Sequence, residues 1–341
     1  MDNFVKKVID AGGSITPLII PADYTNGTGT FNPSIYNDNG KLLMNMRHCQ
    51  VTIYHSELNV FEHEWGPLSY LNPENDVTLT TTNFFCTIND EMLIDSFKKV
   101  DFSKFDVKPL WEFIGLEDCR VFRWDGQLYL CGVRRDTTTN GQGRMELSGL
   151  DLQIEDTIEV TSNGQKTIRK IVKADEISRY RIPTPPPDLS YCEKNWMPII
   201  DMPDHFVKWC NPTEVVKVDP VTNITTQVYH GTFVPKNLDY RGGSQVIPFG
   251  EHRIALTHQT NLFKSEKGAK NATYRHAFVV WDKDWNVVKY GEPFAFLDTH
   301  IEFAAGMCEY NGDILITFGI QDNAAYLLRC PKKFIEDYIY G

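Results

Sequence analysis

The sequence lacks most of the signatures by which common enzyme and binding classes announce themselves. No apolar run reaches the ~20 residues of a membrane span, and the opening Met1-Asp-Asn-Phe-Val-Lys-Lys has no apolar core of a secretory signal. The eight cysteines contain no C-x-x-C and no zinc-finger spacing, and the nine histidines no H-E-x-x-H, so no metal site is expected. A Gly-rich phosphate loop, a nucleophile elbow and a dinucleotide fingerprint are all missing, which removes the kinase, esterase and dehydrogenase readings. Positive charge is scarce: 34 Lys and Arg against 45 Asp and Glu leave a net charge of -11. That balance argues against a nucleic-acid partner or a membrane surface, while leaving room for a local cluster of cations. Scattered cysteines, with Cys131 and Cys308 inside apolar runs, suit reduced core thiols, and the expected location is cytoplasmic.

What the chain does have is a repeated hairpin. The 341 residues are long enough for one large all-β domain with a sizeable core. Five stretches share a pattern of an apolar run, a turn rich in Asp, Asn and Gly, and a second apolar run: 32–47, 115–135, 194–209, 243–258 and 302–318. Five copies of one unit, with further strand-like runs between them, predict a five-bladed β-propeller over about residues 30–330, within a single domain spanning 1–341. A sandwich or barrel whose hairpins share a common turn is the competing architecture. The propeller is favoured because polar residues recur at equivalent ends. Arg47, Arg134, Lys208 and His258 close second strands, and Asn32, Asp118, Lys194 and Ser244 open first strands. Short helices are predicted over 1–12, ended by Gly12-Gly13, over 331–339, and within 88–105. The proline-rich 183–188 reads as a stiff crossover between blades.

The second hairpin carries the densest chemistry. Glu117, Asp118 and Arg120 stand at its entrance, and Arg134 and Arg135 at its exit. A hairpin returns the chain to the end where it began, so acids and cations share one end of the sheet. Neighbouring residues on a strand face opposite ways, so at most one of Arg134 and Arg135 faces a common site unless a bulge intervenes.

Gly115-Leu-Glu-Asp-Cys-Arg-Val resembles the Gly-x-Glu-Asp-Pro-Arg signature of the inverting mannoside phosphorylases and their hydrolase relatives, glycoside hydrolase family 130, which are five-bladed propellers. Further landmarks follow in that family's order: Asn32-Pro33 with Arg47, Lys194-Asn-Trp-Met-Pro198, Leu256-Thr-His258, Tyr274-Arg275 and Phe318-Gly-Ile-Gln-Asp322. Cys119 stands where the family has proline, Thr257 where it has tyrosine and Gln259 where it has glycine. The resemblance implies Asp118 as general acid, acting through a sugar hydroxyl. It places Arg47, Glu117 and Asp322 on the sugar, and makes Arg134, Arg135, Lys194, His258 and Arg275 the phosphate-binding candidates. Trp196 is a candidate for stacking on a sugar ring.

In a phosphorylase, inorganic phosphate is the nucleophile and no cofactor is needed, so cations replace the second carboxylate of a hydrolase. The substrate implied is an oligosaccharide or sugar phosphate, and self-association into a homo-oligomer is left open. Three other functions compete. One is a β-mannoside hydrolase with Glu302 as base. Another is transfer from a nucleotide sugar, as in some trypanosomatid relatives of this propeller. The third is a propeller that binds a glycan or protein without catalysis.

Overall fold

The computed structural model describes residues 3–50, 52–53, 60–61, 68–71, 79–161, 164–185, 190–235, 239–264 and 270–341. The chain forms an all-β, five-bladed propeller with two short helices near its ends. Each predicted hairpin supplies the two inner strands of one blade. Blade one runs Thr30–Asp38, Lys41–Cys49, Leu79–Ile88 and Ile94–Lys99 from axis to rim. Blade two is Glu117–Trp124, Gln127–Arg134, Arg144–Thr161 and Gly164–Arg181, and blade three is Met197–Pro198, His205–Cys210, Thr213–Asp219 and Ile224–His230. Blade four pairs Arg241–Gly242 and Ile247–Phe249 with His252–Lys264, then adds Lys270–Trp281 and Val287–Tyr290. Blade five is Glu302–Tyr310, Asp313–Ile320 and Ala324–Pro331, and its outermost strand is Ser14–Pro17 from the other end of the chain. The ring therefore begins at Ser14, before the predicted start near residue 30, and is closed by both ends of the sequence.

The turn chemistry explains the hairpins. Asn39-Gly40, Asp125-Gly126 and Asn311-Gly312 all have positive φ at both positions, the twist that a two-residue turn between antiparallel strands requires. The inner strands read as near-continuous apolar runs because both their faces are buried. Leu43 packs toward blade two and Leu42 toward blade five, while Val121 faces blade one and Phe122 faces blade three. Five apolar clusters fill the five seams between neighbouring blades. At ~25 cal/mol per Å² of apolar surface, these seams rather than the exposed outer strands hold the ring together.

Helix α1 (Phe4–Asp10) is capped by Asn3, whose side chain accepts from the Lys6 amide at 2.9 Å. Its Phe4 stacks on Phe294 at 4.1 Å and meets Tyr338 of α2 (Lys332–Tyr340) at 5.1 Å, so the two helices seal the blade-four to blade-five seam. The helix expected within 88–105 is instead the outer strand Ile94–Lys99 followed by one 3-10 turn, Ser103–Phe105. Pairing with Phe84–Ile88, and packing of Phe97 beside Phe84, override the local helix preference. The proline-rich crossover lies partly outside the described residues.

At mid-depth the axis is crossed by a buried glutamine from blade four. The Gln245 amide donates to Ser34 Oγ (3.2 Å), Ile35 O (3.0 Å) and Val121 O (2.7 Å), and its carbonyl accepts from the Met307 amide (3.0 Å). One side chain thus joins blades one, two, four and five.

Candidate active site

The first strands of blades one and two leave regular geometry at equivalent points. The register shifts between Phe31 and Ser34 in blade one and between Glu117 and Arg120 in blade two. Asn32 (φ 46°) and Asp118 (φ 50°) sit in these bulges, and Asn195 (φ 62°) precedes the first strand of blade three, all in the left-handed region that Asn and Asp tolerate best. In blades one and two the bulge brings Asn32 and Asp118 within hydrogen-bond reach of each other. The blade-three member is Asn195, one residue beyond the Lys194 expected from the hairpin pattern, and Lys194 is left exposed.

Blades five, one and two form an acidic side. Asp118 Oδ1 accepts from the Asn32 amide at 2.8 Å and from Arg47 Nη1 at 2.9 Å. Burial alone would push its carboxyl up, but the Arg47 guanidinium, the Asn32 amide and Arg120 together hold it below the usual carboxylate range. Arg47 Nη2 also lies 3.4 Å from Glu117 Oε2, and Arg135 Nε lies 3.6 Å from Glu117 Oε1. Asp322 joins this group from the turn after the second strand of blade five. It stands in the field of Arg47, Asp118 and Glu117 yet has no hydrogen bond or ion pair among the described residues. Burial and the two neighbouring carboxylates outweigh Arg47 and raise its carboxyl to about 6.

Blades three and four form a basic side, to which blade two contributes Arg120. Arg120 is 1% exposed and has no carboxylate ion pair among the described residues. Its Nε donates to Gly243 O at 2.7 Å, Nη1 to Asp118 O at 2.7 Å, and both Nη1 and Nη2 reach Asn195 Oδ1 at 3.3 Å. His258 Nδ1 lies 3.0 Å from Gly242 O, which can only accept, so Nδ1 carries the proton and Nε2 presents a lone pair. Burial, then His276, Lys194, Arg120 and Arg241, hold His258 well below the ordinary histidine value, so it is neutral at pH 7. Its ring stacks on Tyr274 at 5.7 Å and meets Phe303 edge-on at 5.0 Å. Tyr274 feels Asp322, Asp118 and Arg241 together, and so stands where the two sides meet.

Several expected site residues are engaged elsewhere. Arg134 is buried within blade two, with Nε on Glu146 Oε2 at 2.8 Å and Nη1 on Asp136 Oδ2 at 3.3 Å, so Arg135 is the member of the pair that reaches Glu117. Arg275 lies on the strand face opposite His276 and pairs with Asp298 at 3.0 Å near the surface. Trp196 is 1% exposed; its indole donates to Glu193 Oε2 at 2.9 Å and packs on Phe206, which leaves no face for a sugar. Glu302, the candidate hydrolytic base, is buried and accepts from the amides of Phe296 (2.6 Å), Leu297 (2.8 Å) and Thr299 (3.0 Å), which makes it the anchor of the 296–299 loop. Cys119 points back toward Asn83 Oδ1 and Leu116 O, away from the bulge. Asn195 and Arg241 join the site without having been singled out in the sequence, and Arg120 and Tyr274, noted there only as neighbours of Asp118 and Arg275, join it as well. No group of three or more metal-ligating side chains occurs among the described residues.

No protein-family model and no curated protein matches this sequence. Solved structures do. A β-1,2-mannobiose phosphorylase from Listeria innocua superposes with a TM-score of 0.51 at 12% identity, over 95% of this chain and 93% of its own. A chain described under the GH130 family of mannoside phosphorylases, among glycoside hydrolases that target β-1,2-mannosidic linkages in Candida mannan, gives 0.51 at 14% identity over 94% of both chains. The propeller is structurally related to the GH130 mannoside phosphorylases and glycosidases. At these identities the likeness to the mannoside-phosphorylase propeller is one of fold.

Proposed function

We propose that this chain is a carbohydrate-active enzyme that breaks β-mannosidic bonds by inverting phosphorolysis, with inorganic phosphate as co-substrate. The observation that carries the proposal is the division of charge around the axis. Inverting cleavage places an acid on one face of the sugar and the nucleophile on the other. Asp118, Glu117 and Asp322 stand on the side built by blades five, one and two, whereas Lys194, Arg241 and Arg120 gather around His258 on the far side. A phosphate held there by the Lys194 point charge and the neighbouring guanidinium groups faces the anomeric carbon of a sugar whose hydroxyls are held by Asp118 and Asn32. Engagement of Glu302 by three backbone amides speaks against water activation at that residue. The fold likeness supports a sugar substrate of this general kind.

The test is release of sugar 1-phosphate from a panel of β-mannosides in the presence of phosphate. Phosphate-dependent product, reduced by about 10²-fold or more in Asp118→Asn, is the expected result. Release of free sugar at the same rate without phosphate identifies a hydrolase. Product formed only from GDP-mannose and an acceptor recasts the basic side as a diphosphate site.

A further inference from the structure

Between blades one and two, beside the axial site but outside it, lies a cavity of about 350 Å³. Its lining includes Gly115 and Arg134, which bracket the blade-two hairpin that opens with Glu117 and Asp118, so it stands at the same end of the ring as the candidate active site. We propose that this cavity is a second binding site, one that takes a neutral sugar. The chemical class is drawn from the lining; that the sugar belongs to the same glycan on which the axial site acts rests on the function proposed above.

Three observations carry the inference. First, Arg134 lines the cavity and is 2% exposed, yet its guanidinium is only partly used. Nε is held by Glu146 Oε2 at 2.8 Å and Nη1 by Asp136 Oδ2 at 3.3 Å, while Nη2 is buried with no hydrogen-bond partner. An unmet buried donor costs about 1–3 kcal/mol, which points to an acceptor that the chain itself does not supply. One water, with its ~30 Å³ share of the liquid, would leave most of the space unfilled, and the volume falls within the ~300–1,000 Å³ of small-molecule sites.

Second, the cavity is held open. Gly115 has φ 96°, and a Cβ there would fall 2.7 Å from Thr81 O, so only glycine can form this wall. Its amide donates at 2.9 Å to Asp136 Oδ2, the same oxygen that faces Arg134 Nη1. The opposite wall is pinned to the outer strand of blade two. The Asp101 amide donates to Ala174 O and the Glu176 amide to Asp101 O, both at 2.9 Å, and Arg179 donates to Phe105 O at 2.7 Å and to Asp106 Oδ1 at 3.0 Å. Neither wall is free to close over Arg134.

Third, the lining is balanced in charge. Lys99 and Arg134 are set against Asp101 and Asp106, and Arg134 already faces Glu146 and Asp136. An anion drawn to the guanidinium would meet carboxylates on every side. A neutral sugar fits each group: a hydroxyl oxygen accepts from Nη2, other hydroxyls donate to the exposed carboxylates of Asp101 and Asp106, and the half-buried Phe102 ring offers a surface to the C–H face of a pyranose. The cavity also adjoins the axial site through one side chain. Thr81, on its wall, accepts from Arg47 Nε at 3.2 Å, and Arg47 Nη1 bonds Asp118 Oδ1 at 2.9 Å.

The test is backbone-amide NMR of the intact protein, titrated separately with β-mannobiose and with inorganic phosphate. The expected result is a saturable movement of the Lys99, Asp101 and Ser103 amides with β-mannobiose and none with phosphate. Two variants locate the response: Ser103→Trp, at an exposed position on the cavity lining, and Arg134→Lys, which keeps the charge but not the fork. Each should weaken the movement about tenfold or more while the Asn32 and Asn195 amides of the axial site respond as in wild type. If the Arg134→Lys spectrum shows an unfolded chain, Ser103→Trp decides alone. Amides at 99, 101 and 103 that stay still with saturating β-mannobiose overturn the inference, as does movement with phosphate instead. A response that survives Ser103→Trp unchanged is relayed from the axial site and overturns it too. Release of sugar 1-phosphate by the same wild-type sample separates the two readings: product without a response at 99–103 removes only the second site, and a response without product removes only phosphorolysis.

Discussion

The two sides of the upper axis handle buried charge in opposite ways. On the acidic side charges are already matched: Arg47 faces both Glu117 and Asp118, Arg135 faces Glu117, and only Asp322 stands apart. On the basic side the matching is incomplete. Arg120 is satisfied by two backbone carbonyls and an amide oxygen, and Lys194 has no ion pair among the described residues. The first arrangement holds Glu117 and Asp118 at fixed positions and leaves Asp322 alone without a salt bridge among the described residues. The second pairs Arg241 with Asp239 but leaves Arg120 and Lys194 without counter-charge among the described residues, the condition the proposed anion site requires.

The sharpest way to break this contrast is Arg47→Met. It removes the cation common to three carboxylates and leaves them facing one another. The expected cost is about 3 kcal/mol or more in urea unfolding at pH 7, shrinking toward pH 4 as the carboxylates take up protons. A variant as stable as wild type at pH 7 would show that the acidic side is not organised around Arg47.

A smaller effect of opposite sign is expected from Asp322. Its folded-state value of about 6 is raised above the ordinary 3.8, so the stability it contributes is fully present below about pH 3.8 and is lost as pH rises through 6. Asp322→Asn should therefore match wild type near pH 3.8 and become more stable above pH 6. The expected gain is about 2 kcal/mol, after allowance for solvent at its partly exposed face.

The smallest effect tests the basic side. Lys194→Ala should leave thermal stability unchanged within ~0.5 kcal/mol. It should raise the KM for phosphate about tenfold with little change in kcat, the loss of one charge-assisted contact. An unchanged phosphate KM would remove Lys194 from the anion site.

Most of the ring could be read from the sequence because its cause is local. Paired apolar runs around Asp-Gly or Asn-Gly turns mark the inner hairpins of the blades, and those runs stay apolar on both faces because every blade is sandwiched. The site was legible where a residue's role depends on its own strand. Asp118, Arg47 and Asp322 do meet at one end of the axis, and strand alternation separated Arg134 from Arg135. Legibility failed where the decisive partner is set by how loops and neighbouring strands pack, even when that partner lies only three to twelve residues away. Nothing near Arg134 shows that Glu146 will take its guanidinium, nothing near Trp196 settles that Glu193 and Phe206 will enclose it, and nothing near Glu302 reveals that the amides of a neighbouring loop will surround it. The one-residue displacement from Lys194 to Asn195 had a readable cue. Asn recurs at bulged positions because it tolerates positive φ, and Asn32 and Asn195 share that property where Lys194 does not.

Gln245 closes the middle of the ring like a hub pin, and that limits traffic. Its side chain is bonded across the axis to three other blades. On the proposed function, a glycan would then be met at its tip from the Asp118 end rather than threaded through the ring. The same pin ties the blades to one another, so the ring is expected to come apart as a whole rather than shed a single blade.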